Sequence, residues 1–116
     1  MTLSEKQIVF TMNIGKLIEF AYASGYGLTF GDAYRDPRLA ALNAQQGKGI
    51  VNSLHSRRLA VDFNLFKGGL YQPRSELYAP LGEYWKSLDP LNRWGGDWTH
   101  VPKDGNHFSM SDGGIE

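Results

Sequence analysis

The chain has 116 residues, of which 41% are hydrophobic and 13% aromatic, with 12 basic and 12 acidic side chains and no cysteine. That length supports one compact domain over residues 1–116 with a core of its own, and the composition excludes a disordered segment. Zero net charge excludes bulk electrostatic attraction to nucleic acid or an anionic membrane, and the lack of cysteine leaves His, Asp and Glu as metal-ligating side chains.

The segment Met1 to Lys6 lacks a basic stretch followed by an apolar one, so the expectation is a soluble protein made in the cytoplasm without a signal peptide. No apolar run approaches the roughly eighteen residues of a membrane span. A first helix is expected with Ser4 as N-cap, Gln7 completing a capping box, and Leu3 and Ile8 as a hydrophobic staple. Ile8, Met12, Ile14, Leu17, Ile18 and Ala21 recur at helical spacing, and Gly25 follows the end. Leu28 to Phe30 reads as a short strand. A second helix starts at Asp36 and Pro37, runs through alanine-rich sequence to Gln46, and stops at Gly47.

Residues 47–53 read as a loop. Leu59 to Phe66 alternates like a strand, with Leu59, Val61, Phe63 and Leu65 on one face and Ala60, Asp62 and Asn64 on the other. Lys67-Gly68-Gly69 is a turn from which Leu70 and Tyr71 return. A third helix runs from Tyr78 or Pro80 to Leu88, its apolar side carrying Tyr84, Trp85 and Leu88, and Pro90 stops it. Trp94 to Trp98 and Asn106 to Met110 are expected strands. In the latter Phe108 and Met110 face the core, while His107 and Ser109 face away. The expected fold is a small α+β domain with a central antiparallel sheet flanked by about three helices and a metal site on one sheet face.

His55, Asp62 and His107 supply two imidazoles and one carboxylate, a donor set that suits one Zn²⁺ ion with a fourth position open to water. Asp104, in the same short segment as His107, is placed to handle that water's proton. Taken singly, each His reads as a surface or hydrogen-bonded core residue. His100 is a rival third ligand or a cleft residue. Asp97 is either an outer partner of the site or a turn residue. Ser53 either hydrogen-bonds near the metal or shapes the loop, and no Ser-His-acid arrangement makes it a nucleophile. Arg57 and Arg58, with Lys48, form a small basic cluster that is either solvated or receives acidic groups of a substrate. Trp94 and Trp98 read first as core residues. Asp36 reads as a helix cap, and Asp32 as a partner for an arginine.

The stretch S-L-H-S-R-R-L-A-V-D-F-N, from Ser53 to Asn64, resembles the S-x-H-x-x-x-x-A-x-D signature of the zinc D,D-carboxypeptidase and L-alanyl-D-glutamate peptidase family. W-G-G-D-W (Trp94 to Trp98) followed by D-G-N-H-F (Asp104 to Phe108) resembles its second signature. A-Y-R-D-P-R-L-A-A-L-N-A-Q, from Ala33, resembles the segment carrying the family's arginine. The resemblance implies that His55, Asp62 and His107 hold zinc, that Asp104 is the general base and acid, and that Arg35 polarises the scissile carbonyl or holds a substrate carboxylate. Asp104 stands where many members have Glu, which places the chain nearer the endolysin-like branch.

The activity implied is hydrolysis of the peptidoglycan stem peptide at the L-Ala–D-Glu bond. The setting implied is that of a monomeric phage or prophage lysis enzyme, which acts on the cell wall after release by a holin-type permeabilising protein. Two alternatives stand beside it. One is a D,D-carboxypeptidase of the same family, with Arg35, Arg57 or Arg58 holding the terminal carboxylate. The other is a non-catalytic wall-binding or structural module that keeps a metal for stability.

Overall fold

A computed structural model describes residues 1–46, 53–99 and 102–116. Helix α1 spans Leu3–Ala23, strand β1 Tyr26–Phe30, helix α2 Pro37–Gln45, and strand β2 Ala60–Lys67. They are followed by β3 (Leu70–Gln72), α3 (Ala79–Leu88), β4 (Asn92–Trp94) and β5 (His107–Met110). Short 3₁₀ turns occupy Leu54–Arg57, Ser75–Tyr78 and Gly95–Asp97.

The cap of α1 is Thr2 rather than Ser4. Its hydroxyl accepts from the Glu5 amide at 3.2 Å, and Glu5 accepts from the Thr2 amide at 2.8 Å, a complete capping box two residues earlier than expected. The buried face of α1 is Phe10, Asn13, Leu17 and Ala21. Ile8 (71% exposed) and Met12 (55%) point outward, and Leu3 is exposed too, so the expected staple is not a buried contact. Phe10 and Leu17 meet the aromatic core, and the smaller aliphatic stripe is left to solvent. Gly25 does lie just past the helix in a left-handed conformation, φ 89°.

All strand pairings are antiparallel, in the order β1-β2-β5-β4, with β3 also on β2. The first half of β2 pairs with β5. Its second half pairs with β1 on one edge and β3 on the other. Gly68 and Gly69, at φ 59° and 78°, form the tight turn into β3 that the sequence predicts. Asp36 caps α2 as expected, accepting from the Arg38 amide at 2.8 Å. The expected loop at 47–53 lies outside the described residues apart from Ser53.

The expected strand from Trp94 to Trp98 is a correction. The strand ends at Trp94, and the chain then turns through Gly95–Asp97. Two glycines follow Trp94, and its ring occupies the space a side chain would need at both Gly82 and Gly96. The core lies between α1, α3 and one sheet face. Trp85, Phe63 and Phe108 are its largest fully buried members, with Leu17, Leu59, Leu65, Leu81 and Met110 around them. Phe10 and Phe108 both meet the Trp85 ring edge-on. The Trp85 indole N–H is shared by the Arg93 and Ser109 carbonyls at 3.0 and 3.1 Å, which fixes α3 to β4 and β5.

Candidate metal centre

Alternation in β2 sends Val61 and Phe63 into this core and Asp62 to the other face. In the β2–β5 ladder Asp62 lies directly opposite His107, and Val61 opposite Phe108. The sheet register therefore brings one carboxylate and one imidazole together. On its other edge the Asp62 backbone is held by the segment after β1. Asp62 N–H donates to the Asp32 carbonyl, and Gly31 N–H to the Asp62 carbonyl, each at 2.8 Å.

His55 arrives from outside the sheet, on the turn Leu54–Arg57. Ser53 caps this turn, its hydroxyl accepting from the His55 amide at 3.2 Å. Buried Leu54 anchors it to the core. His55 and His107 are 5% and 6% exposed, so both rings are committed to the interior of the cleft.

The two rings converge on one atom. His107 Nδ1 lies 3.2 Å from Asp62 Oδ1 and His55 Nε2 lies 3.4 Å from the same oxygen. One ligand atom from each of the three residues falls within 4.8 Å of the others. Bonds of about 2.0–2.2 Å in tetrahedral geometry put the donors around a zinc ion roughly 3.3 Å apart, so these residues fit such an ion closely. Burial would raise the Asp62 carboxyl, but hydrogen bonds from His107 and His55 outweigh it and hold the group down to about 2. The site thus offers one fixed anion and two imidazoles. An outer partner orienting each imidazole is the usual expectation. Among the described residues His55 Nδ1 and His107 Nε2 have no hydrogen-bond partner, and His107 is braced by the Trp98 ring, 5.0 Å between centroids.

Asp104 stands at the start of the turn that leads into β5. Its amide donates to the Gly95 carbonyl at 3.1 Å and its carbonyl accepts from the His107 amide at 3.0 Å. Burial first, and then the like charge of Asp62, pushes its carboxyl above the usual range, the direction that makes a carboxylate a better proton acceptor. The residues that hold this turn are ones that sequence reasoning missed. The Trp94 indole donates to the Gly105 carbonyl at 2.7 Å, and Ser75 Oγ accepts from the Gly105 amide at 3.0 Å. A Cβ on Gly95 would strike the Asp104 carbonyl oxygen and come within 2.9 Å of His107 Cβ. The W-G-G run was the available signal, since paired glycines beside a tryptophan mark a close approach of backbones.

Arg35 joins the site through its backbone, its amide donating to the His55 carbonyl at 3.3 Å. Its guanidinium pairs with Asp32 at 2.8 Å, the partner expected for that aspartate. The other candidates are engaged elsewhere. Arg57 pairs with Asp112 at 2.6 Å, Arg58 covers the Tyr34 ring at 4.2 Å, and Asp97 pairs with Lys86 at 2.7 Å. Trp94 is buried core as expected, whereas Trp98 is only half-buried. Ser53 acts as a cap. His100 lies outside the described residues.

No curated protein sequence matches this chain. The fold matches the crystal structure of the Serratia marcescens L-Ala D-Glu endopeptidase ChiX, with a TM-score of 0.73 over 88% of this chain and 77% of that one, at 19% identity. Residues 46–110, more than half of the chain, match the peptidase M15 family described as D-alanyl-D-alanine carboxypeptidase, and the chain belongs to that family of metallopeptidases.

Proposed function

We propose that this peptidase uses one zinc ion, held by His55, Asp62 and His107, to cut peptidoglycan stem peptides at the L-Ala–D-Glu bond. The observation that carries the reading is the convergence of both imidazoles on Asp62 Oδ1, with Asp104 on the turn whose carbonyl accepts from the His107 amide. Zinc supplies Lewis acidity in such a site, lowering the pKa of a bound water toward about 7. Asp104 accepts the proton of the attacking water and later delivers it to the departing amine. Arg35 stabilises the negative charge that develops on the scissile carbonyl oxygen. A guanidinium has several N–H donors, so its pair with Asp32 leaves donors for substrate.

The endopeptidase reading is preferred over the D,D-carboxypeptidase because the fold matches that of an L-Ala D-Glu endopeptidase. Of the arginines that could receive the terminal carboxylate of a carboxypeptidase substrate, Arg57 pairs with Asp112 and Arg58 packs on Tyr34, which leaves Arg35 for that role. A purely structural metal would take four protein ligands, and three converge here among the described residues. The setting that goes with this reading is a phage or prophage lysis enzyme, acting as a monomer on the wall after a holin-type protein opens the membrane.

Digestion of purified peptidoglycan by the zinc-loaded protein tests the proposal through the new amino termini. N-terminal D-Glu is the expected product. Released D-Ala would replace the endopeptidase with the carboxypeptidase, and no cleavage by zinc-loaded protein would sink both. In the same assay Asp104→Ala is expected to keep zinc while losing about 10²–10⁴ in kcat, and His107→Ala to lose the metal.

A further inference from the structure

His55 rides on a single turn, and the far end of that turn is tied to both ends of the described chain. Asp112, in the turn after β5, accepts from Arg57 Nη1 at 2.6 Å and from Lys6 Nζ at 2.9 Å. Gln7, the next residue on α1, donates its side-chain amide to the Arg57 carbonyl at 2.8 Å. Lys6 also reaches the Ser111 carbonyl at 3.4 Å. The three charged side chains are 15–31% exposed, partly sheltered from solvent. Screening is therefore weaker than for surface pairs such as Arg38–Asp36, whose side chains are 93% and 43% exposed.

We infer that Asp112 is a positioning residue for the metal centre, holding the His55 turn at its C-terminal end through Arg57 as Ser53 holds it at its N-terminal end. A short 3₁₀ turn has few hydrogen bonds of its own and poor intrinsic stability, so its orientation is set by what grips its ends. At its start the turn is held by the Ser53 hydroxyl and buried Leu54, and in its middle by the Arg35 amide on the His55 carbonyl. Its far end is held by Arg57, whose side chain is anchored by Asp112 and whose carbonyl is anchored by Gln7. Releasing the Arg57 side chain loosens that end of the turn, and the ligand it carries is His55. Asp62 and His107 belong to the β2–β5 ladder and are indifferent to the release. Arg57 is accordingly assigned to the protein's own scaffold rather than to substrate.

The inference rests on His55 being a zinc ligand, and the experiment separates the two. Zinc affinity is measured by chelator competition at 25 °C for the full chain and for His55→Ala, Asp112→Asn, Arg57→Gln, the double variant Asp112→Asn/Arg57→Gln, and Glu116→Gln. Glu116 pairs with Arg93 at 3.2 Å in the same C-terminal segment, so its substitution reports any general effect of loosening that segment.

Asp112→Asn and Arg57→Gln are each expected to weaken zinc binding about tenfold, the lower end for an outer partner of a ligand. The double variant should be no weaker than either single one, as for two ends of one interaction. Glu116→Gln should bind like the parent. The Co²⁺-substituted Asp112→Asn protein should show an altered visible spectrum, which a purely global loss of stability would not produce. Should Asp112→Asn fail to fold, Arg57→Gln carries the same test from the other side. Parent-like affinity in the folded single variants, or an equal loss in Glu116→Gln, overturns the positioning role while His55→Ala still loses zinc. Parent-like binding by His55→Ala overturns the ligand assignment and this inference with it.

Discussion

The two halves of the metal centre are built on different principles. Asp62 and His107 face each other across a hydrogen-bonded ladder, with Val61, Phe63, Phe108 and Met110 packed behind them. A one-residue slip would turn Asp62 into the core and expose Val61, so their relation is locked by the same burial that stabilises the domain. His55 has no ladder. It depends on the Ser53 hydroxyl, an amide of Arg35, and the grip on Arg57. The lesson is that single side-chain contacts matter little to the strand-borne ligands and a great deal to the turn-borne one.

The largest expected effect comes from striking the ladder side directly. Gly95→Ala places a methyl group against the Asp104 carbonyl and His107 Cβ, neither of which can swing aside. Overpacking of this kind costs about 1–3 kcal/mol, seen as a lower melting temperature. Displacement of His107 should weaken zinc by about 10–100-fold, read by chelator competition. Parent-like values in both measurements would show that the close approach is not needed.

Ser53→Ala attacks the turn side and should be milder. Loss of the cap costs about 1 kcal/mol, with a drop in zinc affinity of up to roughly fivefold if the whole cost falls on the ligand. Hydrogen exchange sharpens the contrast. Amides of residues 54–58 should lose protection while those of the β2–β5 ladder keep theirs, and equal loss in both would erase the distinction drawn here.

The smallest effect is electrostatic. Hydrogen bonds from Lys6, and then Arg57, hold the Asp112 carboxyl below its usual range. The unfolded chain binds this proton with an ordinary pKa of about 3.9. Asp112 therefore stabilises the fold fully above that pH, and its contribution disappears as pH falls through the ordinary value and then the lowered one. Melting of the metal-free protein and of Asp112→Asn should differ most at neutral pH and converge below about pH 4. A constant gap down to pH 3 would contradict the assignment.

Much of the scaffold was readable because local rules and tertiary packing agree in it. Period-two alternation in Leu59–Phe66 located both the core face and Asp62, and Asp36-Pro37 and Gly68-Gly69 announced their cap and turn. The misreadings arose where two local signals compete. Thr2-x-x-Glu5 and Ser4-x-x-Gln7 are both capping boxes, and the carboxylate, which bonds the Thr2 amide more strongly, prevails. Ile8 and Met12 fit helical periodicity, yet among the described residues nothing buries that side of α1, so they remain exposed. The strand pattern from Trp94 onward stops at two glycines, Gly95 and Gly96, the second lying where the Trp94 indole leaves no room for a side chain.

Sequence alone pointed to the family and to the proposed site, since His55, Asp62, Asp104, His107 and Arg35 lie in motifs that resemble the family's. It also determined which face of β2 presents Asp62, because side-chain direction alternates along any strand. Only the tertiary structure decided which charges are left for substrate and which are consumed by the scaffold. Arg57, Arg58 and Asp97 look alike in sequence to residues of a binding site, but their partners Asp112, Tyr34 and Lys86 are set by packing. The physical reason is range. Backbone conformation and side-chain alternation are local properties, whereas an ion pair such as Arg57–Asp112 exists only after the fold has closed a long loop between them.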